Sequence, residues 1–420
     1  MNNIVLGKFF NVLTTRPSRL IKKDFFLRLK RSLWVSFIYK KLPDSSKPRI
    51  YFDVTLLSLY DNRTGVQRVV RSVLEELKSA VTDKYEIVLV SCSTLVEGFY
   101  VLSEDKKSDK RRFKLSGFKI APKEGDVFLS LEQAFVEHIV QEQVFEKMRS
   151  SGCRIIMTVY DLLPIQIPHC FPVEVKSIYE NWLLSTSRYA EFLCDSRTVE
   201  TDLINYLSSR RRKPEAIYWF YPGSNFLKNV SSTGISSEQS CYIQQTKKFK
   251  FNFLMVGTIE PRKGHKTVLD LFTKLWKEKN EDISLTFIGK EGWMVEELLR
   301  TIKTSENYQK RLFWFNNATD EFLDLCYSLT DAVIIASLNE GYGLPLIEAS
   351  QHNCRIIAND IPVFREVAPQ GCYFLNLSHP DTAIKQMRNW LKAPPPPSPV
   401  IRKQSWKDST LQILTKTKII

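Results

Sequence analysis

Asp331-Ala-Val-Ile-Ile-Ala336 and, four residues on, Glu340-Gly-Tyr-Gly-Leu-Pro-Leu-Ile-Glu348 read as a buried strand, a glycine-containing turn and the opening of a helix. Glu340 then lies in the strand-to-helix loop and Glu348 in the first helical turns. In an open parallel sheet that loop sits at the carboxyl end of the strand, where ligands bind. Backbone N–H groups at a helix start attract phosphate, and glycine permits close approach. A carboxylate on each side suits sugar hydroxyls, so the arrangement points to a pocket for a phosphate-linked sugar. The competing reading is a solvated loop acid followed by a helix N-terminal acid that the helix dipole favours.

A second stretch shifts the balance. Phe253-Leu-Met-Val-Gly-Thr-Ile-Glu-Pro-Arg-Lys-Gly-His265 is an apolar strand ending at Gly257, then a loop with Arg262 and Lys263, then a helix-like run from Thr267. The planar donor fork of Arg262 and the compact charge of Lys263 suit a diphosphate whose negative charge grows as its bond to a sugar breaks.

With both motifs and Asp360-Ile-Pro-Val-Phe-Arg-Glu-Val367, the chain resembles the retaining family 4 glycosyltransferases of the GT-B fold, roughly from residue 49 to residue 410. The resemblance implies an α/β protein of two doubly wound Rossmann-like domains facing a central cleft. It implies that Arg262 and Lys263 grip the nucleotide diphosphate, that Glu340 contacts the donor sugar and that Glu348 holds the ribose. Gly257 and the backbone from Gly341 through Tyr342 and Gly343 to Leu344 complete the donor side. The implied route has the departing diphosphate help take the acceptor proton on the same face of the sugar. No Asp-x-Asp metal motif occurs, Arg262 and Lys263 stand where a cation would act, and the expectation is no cofactor and no metal. The likeness is greatest to mannosyltransferases that extend lipid-linked O-antigen or capsule glycans, with GDP-mannose ahead of UDP-sugars as donor. A non-catalytic sugar-nucleotide-binding scaffold is the alternative, against which the full set of cleft groups speaks.

The rest of the chain alternates strands with helix-like stretches, the pattern of a doubly wound sheet. Strands are expected at 49–54, 85–90, 126–130, 154–159 and 191–194, and again at 250–256, 284–288, 312–314, 332–335 and 355–358. The expected domains are a basic amino-terminal segment (1–48), an acceptor-binding domain (49–228), a linker (229–249) marked by the polar run Asn229–Ser240, a donor-binding domain (250–392), and a tail (393–420) that crosses back to the first domain after Pro394–Pro397. In the acceptor domain, the amides of Gly65, Val66 and Gln67 either face the donor phosphates or simply begin a helix. Asp161 either orients an acceptor hydroxyl or forms a turn before Pro164. Tyr160 stands where many relatives carry a histidine near the transferred sugar, so that role does not carry over.

Composition is ordinary for a folded enzyme, with 43% hydrophobic and 25% charged residues. The eight cysteines are dispersed, show no zinc spacing and fit reduced thiols in a cytosolic protein. The net charge of +14 is uneven: residues 1–48 hold eleven Lys/Arg against Asp24 and Asp44, a net +9, interleaved with Phe, Leu, Ile and Trp34. That pattern fits an amphipathic segment on an anionic membrane surface, or a helix packed on the protein with a solvated basic face, and carries no nucleic-acid module. Neither a signal peptide nor an uncharged span is present. The expected location is the cytoplasm, peripheral on the inner face of the plasma membrane. Deleting the segment should reduce co-sedimentation with anionic vesicles, each Lys or Arg near the surface adding about 1 kcal/mol at low salt; undiminished co-sedimentation by a folded, truncated chain would make it a packing element.

Overall fold

The structure is a computed structural model that describes residues 35, 40–60, 64–105, 112–224, 234–279, 281–368, 370–397, 401 and 404–420. Most of the basic segment 1–48, together with 225–228 at the end of the expected acceptor domain and 229–233 of the expected linker, lies outside the described residues.

The chain forms two compact units. The first holds the described residues up to Tyr160, Lys176–Pro222 and Trp406–Ile420. Its strands are β1 (Lys40–Lys41), β2 (Arg49–Asp53), β3 (Glu86–Ser91), β4 (Tyr100–Asp105), β5 (Arg112–Lys119), β6 (Val127–Ser130), β7 (Arg154–Val159), β8 (Glu191–Cys194) and β9 (Ile217–Trp219). They lie in the order β1-β5-β4-β3-β2-β6-β7-β8-β9. Tyr51 of β2 is registered with Val88 on one side and Phe128 on the other, both parallel. β2 and β6 are buried along their whole length, as a parallel sheet covered on both faces requires.

The β4–β5 pair, antiparallel to each other, was not expected from the sequence. Its residues alternate apolar and charged, as in Arg112-Phe-Lys-Leu-Ser-Gly-Phe-Lys119, and lack the continuous apolar run by which the buried parallel strands are recognised. Lys40 and Lys41 then pair with Phe118 and Lys119, so the end of the basic segment adds a strand to the sheet edge. The final helix, Trp406–Lys416, places Trp406, Ile413 and Leu414 in the core of this first unit.

The second unit holds Asp161–Val175 and Gly223–Ser405. Its strands β10 (Phe251–Val256), β11 (Ile283–Ile288), β12 (Leu312–Phe315), β13 (Ala332–Ile335), β14 (Arg355–Asn359) and β15 (Tyr373–Leu375) form an all-parallel sheet in the order β12-β11-β10-β13-β14-β15. The division departs from the expected domains in two places. Residues 161–175 group with the second unit, where Trp293 stacks on Phe171 and donates its indole N–H to the Cys170 carbonyl (2.8 Å), and Asn339 donates to Gln166 (2.7 Å). Within the expected linker 229–249, Ser237–Thr246 is a helix with a capping box at Ser236 and Gln239, and Tyr242 packs among Phe313, Phe315 and Phe322. The part of the polar run from Ser236 to Ser240 is a helix N-terminus. Among the described residues no helix is long and apolar enough to cross a membrane.

A buried polar cluster ties the centre of the first sheet to the helix Phe135–Val140. Asp53 accepts from Thr55 Oγ1 (2.6 Å) and Ser130 Oγ (2.8 Å) and pairs with His138 Nε2 (2.8 Å), with both Asp53 and His138 fully buried. Burial pushes the Asp53 carboxyl up, but His138 and the two hydroxyls outweigh it and hold it below its ordinary value. This stabilisation is therefore present above the unfolded carboxylate value and is lost as pH falls through the lower folded one. Asp53→Ala, which strands three buried partners, should cost about 3–5 kcal/mol by urea unfolding at neutral pH. A cost below about 1 kcal/mol would make the cluster dispensable.

Candidate functional site

β10 and β13 are neighbours, yet from β10 the chain winds outward to β11 and β12 before returning to start the other half of the sheet at β13. This reversal places the loops after β10 and β13 beside each other at the carboxyl end of the sheet, the position where open α/β sheets bind ligands. After β10 the chain turns at Gly257, makes a short 3-10 turn over Pro261–Lys263 and enters the helix His265–Lys279. Gly264 closes that turn at φ 74°, and a Cβ there would sit 2.2 Å from the Ala336 carbonyl oxygen. Only glycine lets the first loop lie against the end of β13. The Leu338 N–H then donates to the Arg262 carbonyl (2.8 Å), joining the loops through their backbones.

Five ionisable side chains meet there. The Lys263 ammonium pairs with Glu340 Oε1, and Arg262 Nη1 lies 3.5 Å from Glu340 Oε2. Arg262 Nε pairs with Glu260 (2.8 Å), and Asp161 is close enough for Arg262, Lys263 and Glu340 to act on its charge. Ser337 Oγ donates to Glu340 (2.7 Å). Burial pushes the Glu340 carboxyl up, but Lys263, Arg262 and Ser337 bring it down to about 2. Burial wins at Glu260 and at Asp161, which both stand above their ordinary values despite Arg262. Burial alone would lower Arg262, yet Glu340, Glu260 and Asp161 raise it further.

The second loop opens the helix Leu344–Gln351. Gly343, at φ 95°, is its N-cap, and a Cβ there would meet Phe364 at 2.8 Å. Gly341, Tyr342 and Gly343 are buried, Leu344 is half-buried with Pro345 in the first turn, and Glu348 is half-buried one turn further on. Pro345 fits the first turn because a helix leaves those N–H groups unpaired anyway. The result is a buried, glycine-shaped helix start beside two cations, able to take an anionic ligand against its amides.

Residues 242–405 match the family model "Glycosyl transferases group 1". They are a group 1 glycosyl transferase domain. Over 384 residues the chain is 30% identical to the serotype-specific mannosyltransferase WbdA of Escherichia coli, covering 89% of this chain and 45% of that protein. The chain thus spans about half the length of these relatives. Over 222 residues it is 28% identical to the O-antigen chain mannosyltransferase RfbU of Salmonella typhimurium, covering 52% of this chain and 56% of that one. Among solved structures it resembles Anabaena Alr3699/HepE in complex with UDP and glucose (TM-score 0.54, 13% identity, 88% of this chain and 95% of that one). It also resembles the trehalose-6-phosphate synthase OtsA (TM-score 0.57, 11% identity, 89% and 95%). The fold is GT-B, α/β with parallel sheets in two domains.

Within the second unit, the structure gathers Arg262, Lys263, Glu340 and Asp161 into one charged cluster, with Gly257 following β10 at φ 141°. Glu340, expected to face a donor sugar, is held by the cations and Ser337. Gly65, Val66 and Gln67 belong to the first unit and begin the helix Gly65–Ala80, whose capping box takes the Gln67 N–H onto Thr64 Oγ1 (3.3 Å). Tyr160 is a packing residue whose hydroxyl donates to the Leu131 carbonyl (2.8 Å). His265 is buried with its edge on Phe287, and burial aided by Lys263 lowers it to about 3, so it stays neutral.

The sequence reading missed four groups. Glu260 and Ser337 hold Arg262 and Glu340, and Asn359 donates its side-chain amide to the Ser337 carbonyl (3.0 Å). Gly289 ends β11 so close to Gly257 that a Cβ would lie 1.8 Å from the Gly257 carbonyl oxygen. Glu260 and Ser337 were visible as polar residues at the ends of apolar strands, whereas the Asn359 and Gly289 contacts arise from strand order. Gly264→Ala should force the two loops apart and cost about 1–3 kcal/mol in thermal or denaturant unfolding. An unchanged stability would mean that the loops separate without strain.

Proposed function

We propose that the chain is a retaining glycosyltransferase, family 4-like, that moves a sugar from a nucleotide-diphosphate donor to a lipid-linked oligosaccharide in O-antigen or capsule biosynthesis. Mannose from GDP-mannose is the leading donor, in line with the mannosyltransferases it resembles, and UDP-sugars are the alternative, in line with the UDP complex of a protein sharing its fold. The observation that carries the reading is the Arg262–Lys263–Glu340 cluster beside a helix start at the switch point of the second sheet.

In this reading the diphosphate displaces Glu340 from the cations, whose charges then take up the negative charge that builds on the leaving group. The released Glu340 carboxylate turns to the donor sugar, and Glu348 holds the ribose. Gly341 to Leu344 supply backbone donors, and Asp161 stands near enough to the cluster to orient an acceptor hydroxyl. Retention follows if the departing diphosphate oxygen accepts the acceptor proton on the face that it leaves, so protein groups chiefly position and neutralise. Arg262 and Lys263 take the part of a metal ion, and the reaction is metal-independent. The acceptor meets the enzyme at the membrane face, to which residues 1–48 attach.

The test is transfer from radiolabelled GDP-mannose and a UDP-sugar panel to a lipid-linked acceptor, with the product anomer read by NMR and with EDTA as one arm. Arg262→Ala or Lys263→Ala should cut turnover by about 10²-fold or more with the fold intact. Glu348→Ala should weaken binding of the free nucleoside diphosphate, and Glu340→Ala should reduce transfer more than that affinity. Near-normal turnover in both cation variants, an inverted anomer, or loss under EDTA restored by a divalent metal would each overturn the corresponding part of the reading.

A further inference from the structure

The cluster at the switch point is charge-imbalanced. Two cations, Arg262 and Lys263, face three carboxylates, Glu260, Glu340 and Asp161, in a site where the side chains of Glu260 and Glu340 are 8% and 11% exposed. A sugar-nucleotide diphosphate brings two further negative charges to the same two cations. A buried site does not tolerate that excess, because unpaired charge away from water is strongly disfavoured and the group neutralises instead. One carboxylate must give way, and the surroundings of the three differ.

Glu340 is a poor candidate, since the diphosphate releases it to the donor sugar, whose hydroxyls join Ser337 in supporting its charged form. Burial raises Asp161 as well, but it is half-buried where Glu260 is buried, and it accepts the Leu163 N–H (3.1 Å), so its charge keeps an amide partner when Arg262 is engaged elsewhere. Glu260 is buried, and its close ion pair is with Arg262 Nε at 2.8 Å. Its neighbours from other elements are Glu340 on the loop after β13, which opposes its charge, and the exposed Lys290 and Glu291 on the loop after β11. Lys263 on its own loop favours its charge but is paired with Glu340. Burial already holds Glu260 above its ordinary value against Arg262.

We propose that binding of a sugar-nucleotide diphosphate is coupled to uptake of a proton from solvent by the Glu260 carboxylate. Glu260 is thus a positioning residue that holds the Arg262 fork through Nε in the ligand-free protein and becomes a neutral hydrogen-bond partner of it in the complex. This rests on the diphosphate reading of the site. It predicts that donor affinity rises as pH falls, because a proton is bound with the ligand.

Isothermal calorimetry of the full chain with GDP-mannose, and in parallel UDP-glucose, in phosphate and in Tris measures the proton directly. Neither probe carries a phosphate that titrates near neutrality, so the exchanged proton belongs to the protein. Uptake should be at most about one proton, and affinity should weaken by up to about tenfold per unit as pH rises above the titration of free Glu260 and until the complex too releases its proton. Glu260→Gln, the neutral isostere, should still bind but lose at least about half of the uptake and flatten the pH dependence, whereas Asp161→Asn should retain both. Binding by the wild type without proton uptake would overturn the proposal and leave the diphosphate site standing, whatever the fate of the variants. Uptake lost in Asp161→Asn but kept in Glu260→Gln would overturn the assignment to Glu260. Failure of both probes to bind would overturn the diphosphate reading and the coupling with it.

Discussion

A buried carboxylate shared by two cations governs the second unit. Glu340 is the meeting point of the loops after β10 and β13, and its charge is affordable there only because Lys263, Arg262 and Ser337 satisfy it. Removing one partner from such a set leaves an uncompensated charge, at a cost of about 3–5 kcal/mol. The ion set thus holds the two loops in one geometry, and a ligand that competes for the cations must displace Glu340 from them.

Backbone shape makes that ion set possible. Gly264 brings the first loop within contact of Ala336, and Gly343 turns the chain into the helix that carries Glu348. Gly289 lets the end of β11 pass against Gly257. Each of these close approaches removes a side chain from the carboxyl edge of the sheet, so polar side chains and amides define what can enter. The two cations are both engaged by carboxylates and only partly exposed, so charge balance bears directly on what the site can hold.

The first unit has a polar network of a different kind. Asp53, His138, Ser130 and Thr55 are wholly buried, and their mutual hydrogen bonds pin β2 and β6 to the helix behind them. A serine, a histidine and an aspartate in contact carry the side chains of a nucleophilic triad, but with no access to solvent they do structural work. Exposure separates such a network from the charged cluster of the second unit, which is partly open to solvent.

The sequence by itself determined the alternation of apolar strands with helices, and with it the parallel sheets, because strands buried on both faces must be continuously apolar. It also placed Arg262, Lys263 and Glu340 on strand-to-helix loops and Glu348 in the first turns of the helix that follows, since Gly and Pro mark such turns locally. It did not reveal β4 and β5, whose alternating pattern resembles a charged surface, nor the helix over Ser237–Thr246 hidden in a polar run. Tertiary structure alone decided that β10 and β13 are neighbours, and therefore that Glu340 faces Lys263 across 77 positions of chain and Asp161 lies within reach of both. Pairing of that kind depends on strand order, a global property that no local spacing encodes.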